Sequence, residues 1–171
     1  LWEVEKDTEM YEALTESAKI KPVTILMICG HGNQTSIQLG ARNSEDARLD
    51  LLDKAEMQEL GIGGSLEKVG AAVILVSCEN GLGEKEADNM ANMLGYEIFP
   101  QASLFASEGI SYLRDIDFVR LEPLANSPYF IDQVVYRGPD QSIIKTYVIT
   151  RDNSSLMHQF TNSELTAITA I

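Results

Sequence analysis

The sequence predicts an α/β fold with a mainly parallel central sheet and a C-terminal β-hairpin. Two short apolar runs, at residues 23–28 and 71–77, are rich in β-branched residues and are typical of buried parallel strands. Helix-like segments alternate with these runs, whereas the last third of the chain contains β-rich runs that follow one another directly. A length of 171 residues suits a single compact domain.

The first half of the chain carries the alternation of strands and helices. Pro22 separates the first helix from the first strand, and Gly61 and Gly95 follow the next two helices, as glycines commonly do. The predicted elements are a helix at 4–20, a strand at 23–28, a loop at 33–44 with a short strand at 37–39, a helix at 50–60, a strand at 71–77 and a helix at 84–94.

The second half begins with a mixed pattern and ends with β-rich runs. A loop at residues 137–142 joins the two longest of these runs, which predicts a β-hairpin. The predicted elements are a third strand at 96–99, a short helix at 107–113, a weak fourth strand at 118–121, hairpin strands at 129–136 and 143–149, and a polar, weakly helical tail at 151–171.

The charge balance restricts the partners of the chain. Acidic residues outnumber basic ones 26 to 13, which gives a formal charge of −13 and disfavours nucleic acid and anionic membranes. The longest apolar run, residues 71–76, is far too short to cross a bilayer. A basic peptide would be attracted, although an acidic surface serves solubility equally well. The chain begins with Leu1 rather than Met, so the native start and any targeting segment are expected to lie outside it.

Candidate chemistry sits at the ends of the first two strands. His31 follows the first strand and Cys78 the second, and residues with chemical roles gather beyond the carboxyl ends of parallel strands. The 47 positions between them leave room for a helical crossover, so the two strands can be neighbours. A thiol beside an imidazole becomes a strong nucleophile. The structural alternatives are that Cys78 is an unreactive thiol in the core and that His31 only stabilises a turn. Cys29, inside the first strand, is predicted to pack in the core.

The residues at these two strand ends carry a resemblance. An apolar strand that closes on Gly-His-Gly-Asn, followed by one that closes on Ser-Cys-Glu-Asn-Gly, resembles the caspase-like cysteine peptidases, a group that includes caspases, gingipain, separase and the self-cleaving protease domains of large bacterial toxins. Residues 71–94, with Ser77-Cys78, Gly81 and then Asp-Asn-Met-Ala at 88–91, are most similar to the bacterial members. The resemblance covers residues 23 to about 100.

The resemblance implies a fold, a reaction and a set of site residues. It implies one caspase-like peptidase domain over residues 1–171, an αβα sandwich cut from a longer chain. His31 would be the general base and Cys78 the nucleophile that forms a thioester acyl-enzyme, with an oxyanion hole made of the backbone N–H groups of Gly32 and Cys78. No third catalytic side chain, cofactor or metal is implied. The substrate would be a peptide or protein, the parent chain included.

The sequence defines the cellular location and the substrate preference less well than it defines the fold. Two cysteines, Cys29 and Cys78, slightly favour a reducing compartment, which is the cytoplasm or, by the resemblance to toxin domains, a host cytosol. The residue preferred before the cut stays open between basic and hydrophobic. Only about twenty residues precede the first strand, where the family usually has one or two further strands and a helix.

Two other functions stay open beside the peptidase. One is a catalytically silent caspase-like module that serves protein interaction. The other is a nucleotide-binding α/β domain, prompted by the glycine-containing residues 80–85 before a helix; that stretch lacks the spacing of a P-loop and contains acidic side chains. The two cysteines and two histidines lack zinc-binding spacing, so no metal site is predicted.

Overall fold

A computed structural model describes residues 1–40, 45–111, 116–119, 133–150 and 155–158 of the chain. The helices are α1 (Asp7–Ile20), α2 (Lys54–Glu59) and α3 (Met90–Asn92), the last of which continues in a wider helical turn over Met93–Ile98. The strands are β1 (Ile25–Cys29), β2 (His31–Asn33), β3 (Ser36–Gln38), β4 (Arg48–Asp50), β5 (Ala72–Val76), β6 (Ser103–Ser107), β7 (Ile116–Val119), β8 (Gln133–Arg137), β9 (Ile143–Ile144), β10 (Thr146–Ile149) and β11 (Ser155–His158).

The described part of the chain is centred on a five-stranded sheet with the order β1-β5-β6-β10-β11. The first three of these strands run parallel, while β10 is antiparallel to both of its neighbours. The predicted α/β class with a mainly parallel central sheet is therefore confirmed. Every residue of β5 is buried, because this strand is covered on both faces, which explains its continuous apolar sequence.

The helices cover one face of this sheet. Met10, Tyr11 and Leu14 of α1 are buried together with Met57 of α2 in the larger hydrophobic core. These positions in α1 recur every three or four residues, so a single stripe of the helix meets the sheet. Leu75 and Leu104 provide the matching surface from β5 and β6.

A small antiparallel sheet of β7, β8 and β9 lies against the opposite face of the central sheet. Val134 and Tyr136 of β8 pack with Ala72, Ile74 and Phe105 in a second hydrophobic cluster. In the ranges that the structure describes, this face therefore meets strands rather than helices, and the αβα sandwich stays a prediction.

Tyr136 ties the small sheet to the central one. The single proton of its buried hydroxyl is shared between the carbonyl oxygens of Leu75 and Phe105, which both lie 3.0 Å from the hydroxyl oxygen. We expect Tyr136→Phe to lower the free energy of unfolding by about 1–2 kcal/mol, because these hydrogen bonds are lost in a dry site. Urea denaturation measures the effect. Tyr96→Phe is the matched control: the Tyr96 hydroxyl is also buried but has no hydrogen-bond partner among the described residues, so its removal should cost nothing. Equal losses in both variants would contradict this account.

Several predicted elements of the second half are wrong. Residues 96–99 are not a third strand, because the helix that begins at α3 continues through Ile98 and buries Leu94 and Ile98. That helix starts at Met90 rather than residue 84, since the Asn89 side chain accepts a hydrogen bond from the Asn92 backbone and caps it there. The short helix predicted at 107–113 is wrong over the described residues, because Ser107 ends strand β6 and residues 108–111 are not helical. Residues 112–113 lie outside the described residues.

The C-terminal part agrees in outline only. The predicted hairpin exists between β8 and β9, where Tyr136 pairs with Ile144. The chain then leaves this hairpin, and β10 joins the central sheet beside β6. The predicted fourth strand appears as β7, and residues 120–121 and 129–132 lie outside the described residues. Within the tail predicted as polar and weakly helical, residues 155–158 form strand β11, and the rest of that tail is likewise outside.

The loop predicted after the first strand is a compact meander. β2, β3 and β4 form a three-stranded antiparallel sheet, of which only the short strand near residues 37–39 was predicted. Ile37 and Leu49 anchor it, because both are fully buried in the larger core. Alternation of polar and apolar residues is too brief in three-residue strands to be recognised in the sequence.

Candidate functional site

Strands β1 and β5 bring the two candidate residues to the same edge of the central sheet. The two strands are parallel neighbours, and the register pairs Ile25 with Ala72 and Cys29 with Val76, a constant offset of 47 residues. The same offset relates His31 to Cys78. The ladder continues beyond β1, because the backbone N–H of Gly30 donates to the Val76 carbonyl at 3.2 Å. Neighbouring strands lie roughly 5 Å apart, so both chains leave the sheet side by side.

His31 is exposed at the start of β2, in a hairpin whose second strand, β3, is largely buried. The turn is fixed by Asn33, whose side-chain oxygen accepts hydrogen bonds from the backbone N–H groups of Thr35 at 2.9 Å and Ser36 at 3.1 Å. His31 pairs with Gln38 across the hairpin. The local sequence therefore holds the histidine backbone in a strand conformation immediately after the central sheet ends.

Cys78 is half-buried at the start of a sharp turn. Its thiol donates to the Ser111 carbonyl oxygen at 3.5 Å, and no hydrogen bond joins it to His31 in the part of the chain that the structure describes. The next residue, Glu79, has a φ of +58°, in the left-handed region that non-glycine residues rarely adopt. Such strain persists only where the surroundings hold it, and it is often found at functional sites. Here the Glu79 backbone N–H donates to Gly109 at 3.0 Å.

Asn80 connects the two strand ends directly. The side chain is fully buried, and its amide donates to the Asn33 carbonyl at 2.6 Å and, more weakly, to the Ser36 carbonyl at 3.4 Å. The turn after Cys78 is thereby fixed to the turn after His31.

Gly32 lies against Ser77, the residue before the candidate nucleophile. A Cβ atom at position 32 would stand 2.0 Å from Ser77 Oγ and 2.7 Å from the Ser36 carbonyl oxygen. These contacts explain why glycine stands here, because a side chain would collide with Ser77 of the neighbouring loop and with the backbone of its own hairpin. The roles of the Gly32 and Cys78 backbone N–H groups as an oxyanion hole stay a prediction.

The prediction that Cys29 packs inside the core is wrong. β1 is the edge strand of the described central sheet. Ile25 and Met27 lie on the same face of β1 as Cys29 and are about two-fifths exposed, and Cys29 is exposed as well. The surroundings still desolvate the Cys29 thiol partly, and this burial raises its pKa. Cys29 is therefore an accessible thiol that favours its neutral, less reactive form.

The other candidate groups lie elsewhere. The backbone of His158 is in β11, three strands away from β5 in the order of the sheet, which is roughly 14 Å at the usual strand spacing. A cleft of about 400 Å³ lies along α1 and is lined by Thr8, Glu9, Tyr11, Glu12, Thr15, Leu60 and Ile62, so it contains neither His31 nor Cys78.

No helix among the described residues is both long and apolar enough to cross a membrane.

The glycine-containing loop after Cys78 uses its backbone N–H groups within the protein. Gly81 donates to the Ser107 carbonyl at 2.8 Å, Leu82 to Glu79 at 2.9 Å and Glu84 to Gly81 at 3.2 Å. A phosphate-binding loop directs such groups at its ligand instead. These contacts give the nucleotide-binding alternative no support.

Comparison of the chain with protein-family models, with curated proteins and with solved structures finds no match. The function is therefore argued from the arrangement of the site itself.

Proposed function

We propose that this chain is a cysteine endopeptidase that uses a His31–Cys78 dyad, in a caspase-like domain. The observation that carries the proposal is the register of β1 and β5, which relates His31 to Cys78 at the ends of adjacent parallel strands. A base and a thiol in that relation have the two parts that nucleophilic catalysis by cysteine requires. The absence of a direct hydrogen bond in the described residues does not count against the pair, because such contacts are often long until substrate binds.

The proposed reaction transfers an acyl group in two steps. The His31 imidazole takes the proton of the Cys78 thiol, and the thiolate attacks the carbonyl carbon of the scissile peptide bond. The resulting oxyanion accepts hydrogen bonds from the backbone N–H groups of Gly32 and Cys78. The imidazolium then returns the proton to the leaving amine as the C–N bond breaks, which leaves a thioester. Water, deprotonated by His31, hydrolyses that thioester and restores the thiol.

The surroundings of the dyad support a rigid site. Asn80 joins the two loops from a fully buried position, and the strained turn at Glu79 is held by its hydrogen bond to Gly109. A site held in this way keeps nucleophile and base in place before substrate arrives, which lowers the entropic cost of the reaction. The formal charge of −13 favours the binding of basic peptides as substrates. The proposal includes cleavage of the parent chain itself.

Labelling with a peptide electrophile tests the proposal. We expect a mixed library of peptidyl acyloxymethyl ketones at neutral pH to modify Cys78 and to leave Cys29 unmodified, although Cys29 is the more exposed thiol. Peptide mapping by mass spectrometry identifies the site, and the best-reacting peptide shows the residue preferred before the cut. The reaction should be lost in Cys78→Ala and strongly slowed in His31→Ala.

Cys29 provides the internal control for this experiment. Equal modification of both thiols would show ordinary thiol chemistry, and no modification of Cys78 would show a silent site. Either result would replace the peptidase with the protein-interaction module.

A further inference from the structure

Three carboxylates converge beside α1, one of them on α1 itself and two from a distant segment of the sequence. Asp7 lies in the first turn of α1, Asp53 directly precedes α2, and Glu56 belongs to α2. Each offers an oxygen atom within 4.8 Å of the oxygen atoms of the other two. Asp7 and Asp53 are half-buried and Glu56 is exposed, so the cluster has a buried side and an open side.

Tyr11 provides a second and independent observation at this cluster. Its side chain is only 3% exposed, and its buried hydroxyl has no hydrogen-bond partner among the described residues. Tyr11 lies one helical turn after Asp7 on the same face of α1. Side chains on a helix lean back toward its N-terminus, which brings the Tyr11 ring to the side of Asp7. A buried hydroxyl without a partner is costly, so a group that satisfies it is expected.

The cluster contains negative charge that the described contacts do not neutralise. The three carboxylates offer oxygen atoms within 4.8 Å of one another, so their negative charges repel. Lys54 follows Asp53 in the sequence, yet its ammonium group pairs with Glu97 at 2.9 Å. A cation held among the carboxylates would remove the repulsion.

Asp53 is held in an orientation suited to a ligand. One of its oxygen atoms accepts the backbone N–H of Asp50 at 2.7 Å, while the Asp50 side chain accepts the backbone N–H of Leu52 at 2.8 Å. This reciprocal cap fixes the carboxylate at the start of the helical segment and leaves its second oxygen for another partner. Orientation of a ligand by such a neighbour is usual at metal sites.

We propose that Asp7, Asp53 and Glu56 bind a divalent cation that prefers oxygen ligands, with Ca²⁺ as the ion that fits best. All the converging ligand atoms are carboxylate oxygens, without the nitrogen or sulfur that zinc prefers. Ca²⁺ takes six to eight oxygen ligands in flexible geometry, and the open side at Glu56 admits water to complete its shell. The ion would join the start of α1 to α2, and it is independent of the proposed peptidase activity.

Thermal denaturation of the full chain, freed of metal by a chelator, tests the site. We expect millimolar Ca²⁺ to raise the melting temperature by about 5 °C, because an ion that binds only the folded chain stabilises it. Asp53→Asn and Glu56→Gln should abolish the shift; Asn retains the oxygen that accepts from Asp50, and Glu56 is exposed, so both variants should fold. Glu16→Gln is the matched control, since it removes one exposed charge from α1 outside the cluster and should keep the full shift.

Terbium luminescence gives a second measurement on the same proteins. Tb³⁺ substitutes for Ca²⁺ and emits when a nearby tyrosine is excited, so the wild-type protein should sensitise it and Tyr11→Phe should reduce the emission. Two results would mean that Ca²⁺ only screens the net charge, and either would overturn the proposal. The first is a melting-temperature shift of the same size in all variants. The second is a shift that a monovalent salt reproduces at equal ionic strength. Absence of both the shift and the emission would overturn it too, and a shift with Mg²⁺ alone would overturn the choice of Ca²⁺.

Discussion

Cys78→Ala is expected to abolish peptide cleavage, and His31→Ala to lower kcat/KM by roughly 10²–10⁴-fold. Alanine at position 78 removes the atom that forms the thioester, so no acyl-enzyme can form. Loss of the base leaves the nucleophile in place but without a proton acceptor. The residual rate of His31→Ala should therefore rise as the pH is raised, because hydroxide then generates the thiolate. Cleavage of the peptide selected by labelling, measured across a pH series, gives both quantities.

Cys29→Ala and His158→Ala are the controls for these two variants. Cys29 lies on the exposed face of β1, and the His158 backbone is three strands from β5, so both should keep the wild-type rate. Activity that survives in Cys78→Ala and disappears in Cys29→Ala would assign the nucleophile to the other thiol. Cleavage that is independent of His31 at every pH would exclude it as the base.

The sequence predicted the parts of the fold that are long and strongly patterned. The strands near residues 23–28 and 71–77 were found because both are apolar throughout, although only β5 is fully buried and β1 is an edge strand of the described sheet with one exposed face. The helix α1 was found from its amphipathic spacing. Errors occurred where a single side chain decides the outcome. The Asn89 cap delays the start of a helix, and residues 96–98, which were predicted as part of a strand, belong to the helical turn that follows it.

At the candidate site too, the sequence predicted the strands but not the contacts between the loops. The order of two strands that end on His31 and Cys78 was readable in the sequence, and the structure makes those strands neighbours in register. The contacts that hold the loops were not readable, because Asn80 reaches Asn33 across 47 residues and the Ser111 carbonyl reaches Cys78 across 33. The carboxylate cluster was missed for the same reason, since Asp7 is far from Asp53 in the sequence and their spacing contains no motif.

Gly32→Ala is expected to disturb the packing of the two strand-end loops and to lower both stability and the reactivity of Cys78. The new Cβ would stand 2.0 Å from Ser77 Oγ and 2.7 Å from the Ser36 carbonyl oxygen, and a backbone atom cannot rotate away as a flexible side chain can. The contact with the Ser36 carbonyl lies within the β2–β3 hairpin, so the hairpin that carries His31 must distort. Relief of the contact with Ser77 also displaces this hairpin from the loop that carries Cys78. We expect a loss of about 1–3 kcal/mol in the free energy of unfolding, measured in urea. Labelling of Cys78 should slow roughly 100-fold, because displacement of about 1 Å has that effect on a positioned pair.

Gly64→Ala separates this local effect from the general cost of replacing glycine. A Cβ at Gly64 meets nothing within 4 Å, so this variant should fold and react like the wild type. Adding Ser77→Gly to Gly32→Ala removes the closest contact and leaves the one with Ser36, so stability should recover in part, and the double-mutant cycle should show coupling between positions 32 and 77. If Gly32→Ala matches Gly64→Ala in both stability and labelling rate, the two strand-end loops do not pack against each other, and the register of β1 and β5 alone does not bring His31 to Cys78.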